Sequence, residues 1–250
     1  MIATGLKDKV VIVTGGVAGI GKATVQGFVG EGCKVAVWDV SDGEAPAEGM
    51  FQKVNVVDSA AVGAAAAEVA ERLGGIDVLV SNAGILRDAQ LVKWKDGEVA
   101  GTMTDEQFDA VIGVNLKGVF NCGRAVVPHM IRGGGGVILN ASSVVGLYGN
   151  FGQSNYAPTK AGVINMSRGW SRELGRYGIR VNAVAPGFIG TEILQAMPQK
   201  ILDVMVAKTP IGRMGEPADV ANAYVWLASD AASFITGTVL SVDGGLVVGT

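Results

Sequence analysis

The chain has 250 residues, 49% of them hydrophobic, with 38 glycines and a formal net charge of −3. This slightly acidic balance argues against nucleic-acid binding, and no run of about 18 apolar residues is present to span a membrane. The N-terminus lacks the features of a signal peptide, so we expect a cytoplasmic protein. Cys33, Cys122 and the single His129 show no metal-ligand spacing, so we expect no metal site.

The chain begins with a predicted strand, a glycine-rich turn and a helix. Residues 10–13 form a continuous apolar run, which is typical of a strand buried on both faces of a parallel sheet. The glycines that follow permit a tight turn and the close approach of a pyrophosphate, which the helix N-terminus would bind. A purely structural turn is the alternative, but the position between strand and helix favours a dinucleotide. The predicted binding residues are Gly15, Gly19, Ile20 and Gly21.

The second predicted strand, Lys34–Asp39, ends in an acid 18 residues beyond Gly21. This is close to the spacing expected of a carboxylate that accepts hydrogen bonds from an adenosine ribose. The same carboxylate would repel a 2′-phosphate, and no lysine or arginine lies in the glycine loop or directly after Asp39. We therefore assign Asp39 and Val40 to the cofactor and predict NAD(H) rather than NADP(H). Capping of the following turn is the alternative role for Asp39.

Further apolar runs predict strands at residues 50–54, 76–81, 137–141, 179–185 and 238–242. Helical sequence fills the gaps, so we predict one α/β domain, a Rossmann-type doubly wound sheet of seven parallel strands with helices on both faces. Residues 1–142 would form the dinucleotide-binding half, and residues 143–250 the catalytic and substrate half. After the fourth strand, residues 87–104 would either rim the substrate entrance or form a solvated loop.

Tyr156 and Lys160 are four residues apart, about one helical turn. An ammonium group there stabilises phenolate, so we predict that the pKa of Tyr156 falls from its usual value near 10. Such a phenol can pass a proton in carbonyl reduction or alcohol oxidation. Ser143, thirteen residues before Tyr156, follows the fifth strand, where its hydroxyl would share the substrate oxygen. Ser142 is the competing candidate.

Taken together, these motifs resemble the short-chain dehydrogenase/reductase family. The resemblance covers residues 9–245, and Ser81 stands where the family usually has asparagine. Beyond the glycine loop, its motifs are residues 81–84, Asn115 within residues 114–118, Ser143, Tyr156, Lys160 and residues 186–191.

The resemblance implies hydride transfer with Tyr156 as the acid or base and Lys160 on the nicotinamide ribose. Asn115 would hold a water that links Lys160 to solvent, and hydrogen bonding to nearby backbone alone is the alternative. Residues 188–209 would form a flap, with Ala196, Met197 and Met205 as pocket candidates. The cofactor contacts that the resemblance implies are Asn55, Val56, Asn82, Ala83, Gly84, Tyr156, Lys160, Pro186, Gly187, Ile189 and Thr191.

Residues 149–156 and 211–216 look most like those of 3-oxoacyl-(acyl carrier protein) reductases. The resemblance would place basic residues for an acidic carrier near residues 132–137 and at position 177. The first stretch is nearly uncharged and the second position is Tyr177, so the loss of both weakens electrostatic steering of an acidic partner. We therefore expect an NAD-dependent dehydrogenase or reductase that interconverts a small or medium secondary alcohol and its ketone. A 3-oxoacyl-thioester reductase is the alternative, and a non-catalytic dinucleotide-sensing regulator is the remote one.

The helices predicted at residues 105–131 and 156–176 carry apolar side chains on more than one face, Phe108, Phe120 and Trp170 among them. Some of this surface must face something other than its own sheet. Residues 244–250 are apolar and glycine-rich, so they are expected at a second interface. Both features predict a homotetramer, which the resemblance also implies.

Overall fold

In the computed structural model, which describes residues 4–195 and 198–246, a sheet of seven parallel strands forms the centre of the fold. Its order, β3-β2-β1-β4-β7-β8-β9, confirms the predicted doubly wound sheet, while β5 and β6 pair separately. The strands are β1 (Val10–Thr14), β2 (Lys34–Asp39), β3 (Met50–Lys53), β4 (Val78–Ser81), β5 (Val92–Lys95), β6 (Glu98–Thr102), β7 (Gly136–Ala141), β8 (Ile179–Pro186) and β9 (Val239–Val242).

Helices cover both faces of this sheet. They are α1 (Gly19–Gly30), α2 (Ser59–Leu73), α3 (Asp105–Ile112), α4 (Val119–Arg132), α5 (Val145–Tyr148), α6 (Tyr156–Leu174), α7 (Glu192–Gln195), α8 (Gln199–Ala207) and α9 (Pro217–Ala228). A π-helical segment, Gly113–Gly118, joins α3 to α4, so that one rod runs from Asp105 to Arg132. By length and composition this rod could cross a membrane, and 44% of its most apolar 18-residue stretch is buried inside the fold.

The sheet separates two hydrophobic cores. Trp38, Val69 and Ile138 belong to the core on one face, and Phe28, Tyr224 and Leu227 to the core on the other. Every residue of β1 is buried, because β1 is a central strand covered on both faces. The chain continues from β1 to β2 on one side and later returns to β4 on the other. The carboxyl ends of β1 and β4 therefore border the crevice where such sheets bind ligands.

More of the apolar surface of the long helices is buried within the chain than we predicted. Val163 and Ile164 are buried, and the Trp170 ring packs where Gly123 has no side chain. A Cβ at Gly123 would lie 2.7 Å from that ring, so the pair requires glycine there. Phe108 and Phe120, each 41% exposed, remain available to a partner.

Residues 87–104 contain an antiparallel hairpin, β5–β6, that the sequence analysis missed. All nine residues of its two strands are exposed, and Trp94 lies opposite Val99. The Asp96–Gly97 dipeptide in the sequence could have indicated this hairpin, because Asp-Gly is typical of tight hairpin turns. In the structure its φ angles are 53° and 85°, which suit such a turn. The predicted pocket residues Ala196 and Met197, and residues 247–250 of the C-terminal segment, lie outside the described ranges.

Candidate active site

A cleft of about 400 Å³ opens at the carboxyl ends of β1, β2 and β4. The sheet order dictates this place, because the loops after these strands diverge there. Most of the predicted cofactor residues line it: Gly15, Gly19, Ile20, Asp39, Val40, Asn55, Val56, Asn82, Ala83, Gly84 and Thr191. The cleft is also lined by residues that were not predicted, including Val17, Ser41, Ile85 and Glu192. No motif requires these residue types at these positions.

The glycine loop is braced from the loop after β4. The Asn82 side chain donates hydrogen bonds to the carbonyl oxygens of Thr14 and Gly15, each at 3.2 Å. In return the Thr14 hydroxyl accepts from the backbone N–H groups of Asn82 and Ala83, at 3.0 and 2.9 Å. These residues therefore shape the floor of the cleft, a role that their predicted contact with the cofactor did not include.

The glycines of the loop have different roles. Gly15 has a φ of 64°, in the left-handed region that favours glycine. Gly19 begins α1 with a φ of 52°, and Ala18 before it supplies no side chain to cap the helix. The first N–H groups of α1 therefore suit an anionic ligand. Gly21 is buried and is not among the residues that line the cleft. Its role is in packing of the loop, because a Cβ there would collide with the Gly15 carbonyl.

Asp39 closes the cleft at the end of β2. One carboxylate oxygen accepts from Val17 N at 3.2 Å, and the other accepts from Ser41 N at 3.0 Å. The carboxylate thus fixes both the glycine loop and the turn that follows β2. Capping of that turn was the alternative role predicted for Asp39. Each oxygen keeps a further lone pair, so these bonds leave Asp39 able to accept from a ribose.

Tyr156 begins α6 and faces the loop after β7. The Ser143 side chain is close enough to the phenol to act on its pKa as a hydrogen-bonding group, so the structure brings these two predicted residues together. Ser142 is buried, and its hydroxyl donates to the Lys160 carbonyl at 2.9 Å. This geometry favours Ser143 over Ser142 as the group beside the reacting oxygen.

The predicted fall in the pKa of Tyr156 is wrong for this arrangement. Burial of the phenol raises the pKa to about 12, the Ser143 hydrogen bond opposes that rise, and the Asp88 carboxylate adds to it. Lys160 does not reverse this, because its ammonium donates to the Ala141 carbonyl at 2.7 Å and lies 5.5 Å from the Tyr156 ring centroid. Burial lowers the pKa of Lys160 itself to about 8.

Lys160 and Asn115 meet at Gly84, on the wall of the cleft. A Cβ at Gly84 would lie 3.4 Å from Asn115 Oδ1 and 3.7 Å from Lys160 Nζ. The Asn115 amide donates to the Ile85 carbonyl at 2.9 Å and accepts from Ile85 N at 2.8 Å. Its side chain therefore anchors the loop after β4. Hydrogen bonding to nearby backbone was the alternative role predicted for Asn115, and its role in holding a water stays a prediction.

The predicted nicotinamide residues divide into two groups. Thr191 lines the cleft, and its methyl group would be 3.3 Å from a Cβ at Gly19. Ile189 instead packs into the hydrophobic core, and Gly187 N donates to the Val242 carbonyl at 3.0 Å. Pro186 is the last residue of β8 and accepts from Val144 N at 3.1 Å. These three residues hold the loop that presents Thr191, and their contact with a cofactor remains a prediction.

Comparison with known proteins is consistent with this geometry. Residues 16–247 match a family described as enoyl-(acyl carrier protein) reductase. A 3-oxoacyl-[acyl-carrier-protein] reductase from Thermotoga maritima is 47% identical over 97% of this chain and 99% of its own length. One from Staphylococcus aureus is 40% identical, over 95% and 98%. A 3alpha-hydroxysteroid dehydrogenase from Mediterraneibacter gnavus is 39% identical, over 96% and 97%.

Proposed function

The chain belongs to the short-chain dehydrogenase/reductase family, and we propose that it is an NADH-dependent reductase of 3-oxoacyl thioesters. Membership makes it an oxidoreductase that uses a nicotinamide dinucleotide. The observation that carries the proposal is that Ser143 and Tyr156 lie together, with Lys160 beside the cleft wall at Gly84. The thioester class, our alternative from sequence, now ranks above the general ketone because the relatives from Thermotoga and Staphylococcus both bear that name.

The lining of the cleft suits a dinucleotide. Side chains are absent at Gly15 and Gly19, where a Cβ would lie 2.9 Å from the Ala83 backbone and 3.3 Å from Thr191. When bound there, the nicotinamide supplies the hydride. The glycine loop and the start of α1 would hold the pyrophosphate, and Asp39 would accept from the adenosine ribose.

The chain's own residues would handle the proton. In reduction, Tyr156 donates its phenolic proton to the substrate oxygen, and in oxidation the tyrosine oxygen takes that proton back. Ser143 orients the same oxygen by a second hydrogen bond. Lys160 would contact the nicotinamide-side ribose across Gly84, which has no side chain to block it. Its positive charge also favours negative charge on the phenol.

The preference for NADH is supported by charge. The described lining of the cleft includes two acids, Asp39 and Glu192, and neither lysine nor arginine. Lys53 is in register with Asp39 on the neighbouring strand, but its ammonium pairs with Asp42 at 2.8 Å. A 2′-phosphate would therefore meet carboxylates with no uncommitted cation identified beside them.

A second candidate is the oxidation of a secondary alcohol on a larger apolar molecule, as the name of the hydroxysteroid relative suggests. The uncharged glycine run at residues 133–136 favours it, because an acidic carrier would find little to bind there. Against this, Arg176 stacks on Tyr177, with its guanidinium carbon 4.7 Å from the ring centroid. A positive charge therefore lies beside Tyr177, the second position at which the resemblance implies a basic residue.

The deciding experiment is steady-state turnover with a fixed panel of substrates. Acetoacetyl-coenzyme A, an acetoacetyl carrier protein, a 3-ketosteroid and a simple cyclic ketone would each be tested with NADH and with NADPH. We expect the highest kcat/KM for a thioester with NADH. A preference for the ketosteroid or the cyclic ketone would favour the second candidate, and binding of NADH without turnover of any substrate would favour the regulator.

We also propose a cytoplasmic homotetramer. The exposed Phe108 and Phe120 on the rod formed by α3 and α4 support pairing there, and Arg124 stacks on Phe120 at 4.9 Å. A second pairing, in which the C-terminal segment would take part, is needed to close a tetramer. Light scattering would detect it, and a monomer of 25.6 kDa at micromolar concentration would contradict it.

A further inference from the structure

The loop that precedes Tyr156 is attached to the segment that carries the exposed hairpin. Gln153, only 9% exposed, donates from its amide to the Asp88 carboxylate at 2.8 Å. One residue further along, Ala89 N donates to the Gly152 carbonyl at 2.9 Å. Gln153 also accepts from the Asn150 amide at 3.0 Å, so its side chain is held from two sides.

Asn155 connects the same loop to the other end of the hairpin segment. This residue is fully buried, and its amide donates to the carbonyls of Arg87 and Gln107, at 2.9 and 3.1 Å. Its side-chain oxygen accepts from Tyr156 N at 2.7 Å. The backbone that carries the phenol is therefore fixed to residues on both sides of β5–β6.

Building on the proposed function, we propose that Asp88 and Gln153 form a positioning pair for Tyr156. Their hydrogen bond sets where the start of α6 lies relative to Ser143, and the Asp88 charge acts on the phenol across that bond. Neither residue would touch substrate or cofactor. A hydrogen bond to an ionised acceptor is stronger than one between neutral groups, so this pair is suited to hold an otherwise exposed segment.

Several groups face Tyr156 from the elements packed around it. Lys160 is on its own helix, Ser143 is on the loop after β7, and Asp88 is on the segment after β4. Burial raises the pKa of Tyr224 on α9, and Tyr156 is close enough to add to that rise. Among these, Asp88 is the carboxylate, and it raises the pKa of Tyr156. Removing its charge should therefore lower that pKa.

Five variants separate the charge from the hydrogen bond. Asp88→Asn keeps an acceptor oxygen for Gln153 but loses the charge, whereas Asp88→Ala loses both. Asp96→Asn at the tip of the hairpin is the matched control, because it removes an equal charge from the same segment at a position where asparagine tolerates the φ of 53°. Gln153→Ala, alone and combined with Asp88→Ala, completes a double-mutant cycle.

The readout is the pH dependence of kcat for alcohol oxidation by the intact enzyme. For Asp88→Asn we expect the rising limb to move about 0.5 pH unit or more toward lower pH, with the maximal kcat within about twofold of wild type. For Asp88→Ala we expect the same shift and about a tenfold lower kcat, with KM for NAD unchanged. The double variant should be no slower than Asp88→Ala, and Asp96→Asn should match wild type.

Three results would overturn the proposal: a pH profile of Asp88→Asn identical to that of Asp96→Asn, equal maximal kcat for Asp88→Ala and Asp88→Asn, or additive losses in the double variant. None of these results bears on the proposed function. That function fails instead if Tyr156→Phe keeps its turnover, which is measured in the same assay. The two failures are therefore distinguishable.

Discussion

Around the glycine loop, backbone and side chains are held by mutual hydrogen bonds, whereas the β5–β6 hairpin and Phe151, in the loop before Tyr156, are exposed to solvent. Thr14, Asn82 and Asp39 each bond to backbone of another segment, so the cleft is built before any ligand arrives. In contrast, Trp94 in the hairpin is 67% exposed and Phe151 in the loop before Tyr156 is 81% exposed. Substitutions at the cleft should therefore affect cofactor binding, and those at the rim should affect substrate choice with little cost to folding.

The largest expected effect tests whether chemistry can be separated from cofactor binding. Tyr156→Phe should lower kcat by about 1,000-fold while the Kd for NADH stays within about twofold, because only the proton donor is removed. Turnover and NADH fluorescence titration measure the two quantities. Tyr148→Phe, at a tyrosine 59% exposed nearby, is the matched control and should match wild type. More than a tenth of wild-type turnover in Tyr156→Phe would place the acid elsewhere.

Lys160→Ala should impair both the chemistry and cofactor binding, because this side chain lies near Tyr156 and near the cleft wall at Gly84. We expect kcat to fall by about 100-fold and the Kd for NADH to rise by about tenfold. Its ammonium bonds to the Ala141 carbonyl, so thermal unfolding must be followed as well. An unchanged Kd for NADH in a folded variant would contradict the proposed contact with the ribose.

Asp39→Ala acts on the cleft alone. We expect the ratio of kcat/KM for NADH over NADPH to fall by about tenfold, or about 1.4 kcal/mol, because a carboxylate that repels the 2′-phosphate is lost. Asp39→Asn is the companion variant, since its single amide oxygen can still accept from Val17 N while the charge and the second acceptor oxygen are lost. If both variants keep the wild-type ratio, Asp39 acts only as a cap. A wild-type preference for NADPH would contradict the cofactor proposal outright.

At the rim, Trp94→Ala should raise KM for a long-chain or bulky apolar substrate by about threefold to tenfold and leave KM for a short one unchanged. The free energy of unfolding should change by less than about 0.5 kcal/mol, because the ring is mostly exposed. Trp226→Ala, at an exposed tryptophan on α9, is the control. Equal KM values for all substrates would identify the hairpin as a solvated structure without contact to substrate.

The smallest expected effect concerns two buried serines. Among the described residues, the Ser81 hydroxyl has no hydrogen-bond partner, whereas the Ser142 hydroxyl donates to Lys160. Ser142→Ala should cost about 1 kcal/mol of unfolding free energy, and Ser81→Ala should be neutral or slightly stabilising. Urea denaturation would measure both. A loss of 1 kcal/mol or more for Ser81→Ala would imply that this hydroxyl has a partner in solution.

Local pattern was enough to predict the sheet and the glycine loop. The apolar runs of β1, β2 and β7 predict buried strands because burial on both faces excludes polar residues, and a single sheet follows from their alternation with helices. Tyr156 and Lys160 lie on one helical face for the same local reason, a spacing of about one turn. The resemblance added Asn82 and Thr191, whose places on the cleft wall the structure now shows.

The tertiary structure alone decided what depends on contacts between distant residues. Asp88 and Gln153 are 65 positions apart, and no periodicity predicts that they meet. Burial set the direction of the pKa shift of Tyr156, because desolvation of the phenol outweighs the influence of Ser143, and the Lys160 ammonium donates instead to the Ala141 carbonyl. Packing likewise turned Trp170 inward onto Gly123 and committed Ser142 to a backbone carbonyl. The sequence by itself therefore determined which groups this protein has for its chemistry, and the packing of distant segments decided how they are oriented and charged.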